Sequence, residues 1–98
     1  MNSDRINELR LRYQRSLAEK AESISKLLVQ VREQALEKDD LQVAVHEYLH
    51  KLAGSSGMYG YQDIADLCRK TLEELETNEL AGLAERLVQI RNLLQQHA

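Results

Sequence analysis

The sequence predicts an all-α domain, an antiparallel up-down-up-down four-helix bundle, and three observations predict it. Proline is absent, glycine occurs only four times, and Phe and Trp are missing, while Leu, Ala, Glu, Gln, Lys and Arg dominate; such a composition favours helices nearly throughout. Apolar residues recur in steps of three and four along most of the chain, the spacing of one helical face. The breaks between these periodic stretches are a few residues long, which forces sequential helices to pack antiparallel. With 98 residues there is room for one hydrophobic core, so residues 1–98 are read as one domain.

The first helix is carried by Ile6, Leu9, Tyr13, Leu17, Ala21, Ile24, Leu28, Val31 and Ala35. A break near its start would leave a short extra N-terminal helix ahead of the bundle. Glu37-Lys38-Asp39-Asp40 interrupts the pattern, and Asp40 is placed to accept a bond from the free N–H groups of a new first turn. The second helix then starts near Leu41, with Leu41, Val45, Tyr48 and Leu52 as its inner stripe, and the cluster Gly54, Gly57 and Gly60 ends it near Met58 or Tyr59. Tyr61, Ile64, Leu67, Cys68, Thr71 and Leu75 outline the third helix. Thr77 or Asn78 is expected to cap the fourth, whose stripe is Leu80, Leu83, Leu87, Ile90 and Leu94.

A net charge of -3 argues against a nucleic-acid surface, which needs a dense basic patch. No stretch is long and apolar enough for a membrane span, and Met1-Asn2-Ser3-Asp4-Arg5 has no apolar core of a signal peptide. A cytoplasmic location is therefore expected, and the single cysteine, Cys68, suits a reducing compartment as a small buried side chain.

Chemistry points to the second helix. At about 100° per residue, with the Leu41 stripe inward, His50 falls about 180° away, and its neighbours on the outer face are His46, Ala53, Gly54 and Gly57. A glycine inside a helix costs about 0.5–1 kcal/mol relative to alanine, and a solvent-facing position gives no packing reason for Gly54. Clearance around His50 supplies one. A neutral imidazole carries a free lone pair and is a competent nucleophile, and a bare surface one turn away lets another protein's active site close over it.

The run His50-Lys51-Leu52-Ala53-Gly54-Ser55-Ser56-Gly57-Met58-Tyr59-Gly60, followed by Ile64, Leu67 and Cys68, resembles the signature of histidine-containing phosphotransfer (HPt) domains. The motif covers about a fifth of the chain, and the helix order and length match the family over essentially all of it. The resemblance implies that His50 relays a phosphoryl group between aspartates of receiver domains in a multistep two-component phosphorelay. It implies docking and clearance at Gly54, Lys51, Ala53, Gly57 and His46, with Leu52 anchoring the helix in the core. The magnesium ion and the acidic pocket would belong to the receiver, so no cofactor or metal of the chain's own is expected. The chain would be a phosphotransfer intermediate with no stand-alone turnover, expected to be monomeric, and its Met1 start leans toward a free-standing relay protein. The family's usual Lys three residues after the His is Ala53 here, which leaves Lys51, Arg69 and Lys70 as candidate neighbours of the phosphate. Leu72-Glu73 also fall one residue later, relative to Cys68, than the family's usual Leu-Glu pair.

Two other readings compete. One is a non-catalytic helical interaction module in which the outer face binds a partner and His50 carries no phosphate. The other is a zinc hydrolase, because His46-Glu47-Tyr48-Leu49-His50 spells H-E-x-x-H; Glu73, Glu74 or Glu76 would have to supply the third ligand, and the longer form fails because Ala53 and Ser56 stand where glycine and histidine are needed. Ser55 and Ser56 lack the strand and lysine of a phosphate loop. His97, next to the C-terminus, is expected to fray.

Overall fold

A computed structural model describes residues 2–33 and 38–98. These form four α-helices, α1 (Asn2–Glu33), α2 (Lys38–Met58), α3 (Gln62–Glu76) and α4 (Leu83–His97), with no strand among the described residues. The up-down-up-down bundle is built of two close pairs: α1 lies mainly against α4 and α2 mainly against α3, while α3 joins the pairs through α4 and α1 touches α2 only lightly. Leu17 and Ile24 of α1, Val45 and Leu49 of α2, Ile64 and Cys68 of α3, and Leu87, Ile90 and Leu94 of α4 are fully buried and form one core. Each large aliphatic side chain among them stabilises the fold by roughly 1.5–3 kcal/mol through burial.

Helix α1 runs unbroken for 32 residues, so there is no separate short N-terminal helix. Nothing in the sequence would break it, since neither proline nor glycine occurs before Gly54. At 1.5 Å per residue it spans about 48 Å, the full length of the molecule, whereas α4 has 15 residues. The apolar stripe of α1 therefore outruns its partners. Ile6 and Leu9, read from periodicity as part of the buried face, are 48% and 37% exposed, and burial begins at Tyr13. Ala35 and Glu37 lie outside the described residues.

Helix α2 is described from Lys38, so Asp40 stands inside its first turn, with Asp39, instead of at the cap; there both carboxylates face the positive end of the helix dipole. Its other end is a Schellman turn. The Tyr61 N–H donates to the Ser56 carbonyl at 2.8 Å and the Gly60 N–H to the Gly57 carbonyl at 3.2 Å, with Gly60 at φ +89°, where a glycine carries no Cβ penalty.

The same turn ends α3 and corrects the expected cap of α4. Asn78 adopts φ +59°, the Glu79 N–H donates to the Glu74 carbonyl at 2.8 Å, and the Asn78 N–H donates to the Leu75 carbonyl at 3.1 Å. Asn78 thus closes α3 and does not open α4, a role open to asparagine because it tolerates the left-handed region. Helix α4 begins later, at Leu83, after a turn that leaves Leu80 outside the helix but packed on the core.

Candidate functional site

The buried face of α2 is Val45, Leu49, Leu52, Ala53 and Ser56. The centre of this set lies about 50–60° around the helix from the Leu41, Val45, Tyr48 and Leu52 stripe. Leu41 and Tyr48 are only half-buried, and the Tyr48 hydroxyl donates to the Lys20 carbonyl of α1 at 3.4 Å. This rotation moves Ala53 from the outer surface, where it was expected to serve docking, into the core at 5% exposure. The missing lysine at this position is thus replaced by a packed methyl group that cannot approach a ligand at His50.

His50 is exposed and makes no hydrogen bond among the described residues. Gly54, one turn on, is also exposed, and a Cβ built on it would meet nothing within 4 Å. The clearance there is clearance toward solvent. Lys51 is exposed, about 100° around the helix from His50.

Gly57, also expected to serve docking, lies beside α3 and not in open space. A Cβ there would lie 3.4 Å from Arg69 Nη2 and 3.7 Å from the Ala65 Cβ, in ordinary van der Waals contact with α3. Arg69 reaches this position with Nη2, and its Nη1 lies 3.5 Å from Asp66 Oδ1. Lys70 is exposed on α3 and joins no hydrogen bond or ion pair among the described residues. Neither α3 cation is hydrogen-bonded or ion-paired to His50 among the described residues.

His46 stands closer. Its ring is stacked on that of His50, centroids 6.2 Å apart and planes 11° apart, and its Nε2 lies 3.7 Å from Glu76 Oε1 of α3. Among the described residues no group of three or more His, Cys, Asp or Glu side chains is arranged to hold a metal ion; the H-E-x-x-H spelling has no third ligand converging with its two histidines. Cys68 is buried, and burial pushes its thiol up to about 12, with Arg69 pulling weakly the other way. It packs as an apolar side chain and is no nucleophile at neutral pH.

Two features escaped the sequence reading. Val43 and Met58, exposed by 57% and 76%, lie on the same outer stripe of α2 as His50 and Gly54, two turns before and about two turns after the histidine. Their spacing from His50 was the available signal. The second feature is an aromatic cluster at the end of the bundle where α2 passes into α3. Tyr13 stacks on Tyr59 at 4.5 Å and lies 5.8 Å from Tyr61, and its hydroxyl is 2.7 Å from Ser55 Oγ. Burial raises the Tyr13 hydroxyl above its ordinary value even though that hydrogen bond lowers it. His97 belongs to this cluster and is not frayed. It meets Tyr61 edge-on at 5.1 Å and holds Asp63 Oδ2 at 2.7 Å, so it ties the end of α4 to the start of α3. Burial works against the Asp63 charge, but the His97 contact and the Ile64 N–H outweigh it and keep the carboxyl below its ordinary value.

No helix among the described residues is long and apolar enough to cross a membrane. Neither the curated proteins nor the solved structures contain a match to the sequence. The model of the Hpt domain family matches residues 8–98, a span that takes in all of α2, α3 and α4 and most of α1. A four-helix bundle with an exposed histidine one turn before an unobstructed glycine, matched along nearly its whole length, belongs to the Hpt domain family, the histidine phosphotransfer domains of phosphorelays, which in general interact with receiver domains of two-component systems.

Proposed function

We propose that His50 is the phosphoryl carrier and that the outer stripe of α2 is the surface on which receiver domains dock. The observation that carries this reading is the pairing of an exposed His50 with Gly54, around which a side chain would meet only open space. A ring nitrogen lone pair of His50 attacks the phosphorus of a receiver's aspartyl phosphate. The N–P bond forms as the acyl P–O bond breaks, and the electron pair of that bond leaves with the aspartate carboxylate. The reverse step delivers the phosphoryl group to an aspartate of a second receiver. Such a reaction is accelerated mainly by alignment and by charge stabilisation, and the receiver supplies the magnesium ion and acidic pocket. The chain supplies nucleophile and docking surface, with Val43 and Met58 as apolar contacts at the two ends of the stripe. The relay would run in the cytoplasm, and the chain would act as a monomer.

The test is intact mass after incubation with phosphoramidate, a small-molecule phosphoryl donor, on the wild type and His50→Gln in parallel. One acid-labile phosphoryl adduct is expected on the wild type and none on the variant. An adduct that survives in His50→Gln would move the site elsewhere. No adduct on either protein, with a charged receiver also failing to transfer, would leave an interaction module of the same fold.

A further inference from the structure

A phosphoryl group on His50 would bring a dianion to the outer face of α2, and the cations that might balance it are unequally placed. Arg69 is held over Gly57 and bonded toward Asp66. Lys51 projects about 100° around the helix. His46 is the cationic candidate whose ring is already stacked on His50, at 6.2 Å between centroids, and the carboxylate of Glu76 lies 3.7 Å from its Nε2. Side chains four apart on a helix are neighbours, and opposite charges there attract. Histidine is also the residue type whose unperturbed charge change falls between about pH 5 and 8.

On the reading that His50 is the carrier, we propose that His46, in its imidazolium form and braced by Glu76, stabilises the phosphoryl group on His50 and makes that stabilisation depend on pH. The groups that face His46 are few. Helix α3 presents Glu76 beside the apolar Leu75, and α2 presents Gln42, Glu47 and His50. Helix α1 meets α2 on the opposite side, through Tyr48 and Ser55. The dianion on His50, once it arrives, would attract the imidazolium form of the ring stacked on it. His46 acts as an electrostatic and positioning residue; the bond making and breaking stay at His50.

Binding of a proton to His46 and of a phosphoryl group to His50 must then favour each other equally, because linkage between two sites is reciprocal. The full chain, isotopically labelled at histidine, is titrated by NMR before and after phosphorylation with phosphoramidate. The midpoint of the His46 ring titration is expected to move upward on phosphorylation, and a midpoint that stays in place while His50 carries the group overturns the proposal. In a second arm the half-life of the phosphorylated chain is compared with that of His46→Gln. The wild type is expected to persist about threefold longer at pH 6, with the ratio approaching one by pH 8.5. His46→Lys, which keeps a cation at both pH values, is expected to hold the ratio throughout, and Glu76→Gln to reduce it at pH 6. A ratio of one at pH 6 would overturn the proposal while leaving His50 as the carrier, whereas absence of any adduct on His50 would overturn both.

Discussion

Gly54 and Gly57 are three residues apart in α2 and meet different surroundings. Around Gly54 there is open space, while over Gly57 lie the Arg69 guanidinium and the Ala65 methyl group. The first borders open solvent; the second borders α3. The two histidines of the C-terminal halves repeat the contrast. The His50 ring makes no hydrogen bond among the described residues, whereas His97 holds Asp63 at 2.7 Å and packs against Tyr61. Residues of the same type thus divide between a face open to solvent and a face that builds the fold, and in α2 the division follows from which side of the helix its neighbour occupies.

The sharpest way to break this comparison uses two adjacent residues. Leu49→Ala removes a fully buried side chain and is expected to cost about 2–5 kcal/mol in chemical denaturation. His50→Gln, one position on, is expected to change stability by no more than about 0.5 kcal/mol while abolishing uptake of phosphate by intact mass. A destabilised His50→Gln would show that the outer face also builds.

The glycines come next. Gly54→Gln is expected to fold at least as well as the wild type, gaining about 0.5–1 kcal/mol from the better helix former. Transfer from a charged receiver should nevertheless fall about tenfold or more, because the new side chain blocks the approach. Labelling by phosphoramidate, which needs no docking, should persist in this variant, so receiver transfer and small-donor labelling measured side by side separate docking from chemistry. For Gly57→Leu the expected loss is the other kind: about 1–3 kcal/mol of stability, from overpacking against Ala65 and Arg69, read as a lowered denaturation midpoint.

The smallest effect concerns acid. Because the folded Asp63 carboxyl is held below its ordinary value, the unfolded chain binds its proton more readily, and the contact with His97 stabilises the fold above the ordinary carboxylate range. That contribution should fade as pH falls through the lowered folded value. Asp63 and His97 are partly exposed, so solvent screening limits the contribution to at most about 1 kcal/mol. Stability measured against pH should show a shallower acid limb in Asp63→Asn, and an unchanged limb would mean that the contact contributes nothing.

Much of the site was legible before the structure. Periodicity located four helices, because apolar spacing of three and four is a local property of the chain, and the outward direction of His50 survived because it lies far enough from the buried face to tolerate an error of about 50–60° in that face's centre. The same error was enough to misplace Ala53, which stands near the boundary. The stripe Leu41, Val45, Tyr48 and Leu52 includes two residues, Leu41 and Tyr48, that are only half-buried, and it omits Leu49, which is fully buried. The surroundings of Gly57 were hidden for a related reason: a glycine on a helix surface looks alike in sequence whether it faces solvent or another helix.

By itself the amino-acid sequence determined the helical class, the antiparallel order that short connections impose, and the His50-to-Gly60 motif, since each depends on residues near one another along the chain. The tertiary structure decided which face of α2 is roofed by α3, that Asn78 closes α3 instead of opening α4, that α1 outruns its partners, and that His46 pairs with Glu76 and His97 with Asp63. These depend on contacts between residues 30 or more positions apart in the case of the two histidine pairs, and on the relative lengths and rotations of packed helices. Such quantities are set by how whole faces fill a common core, and no local pattern encodes them.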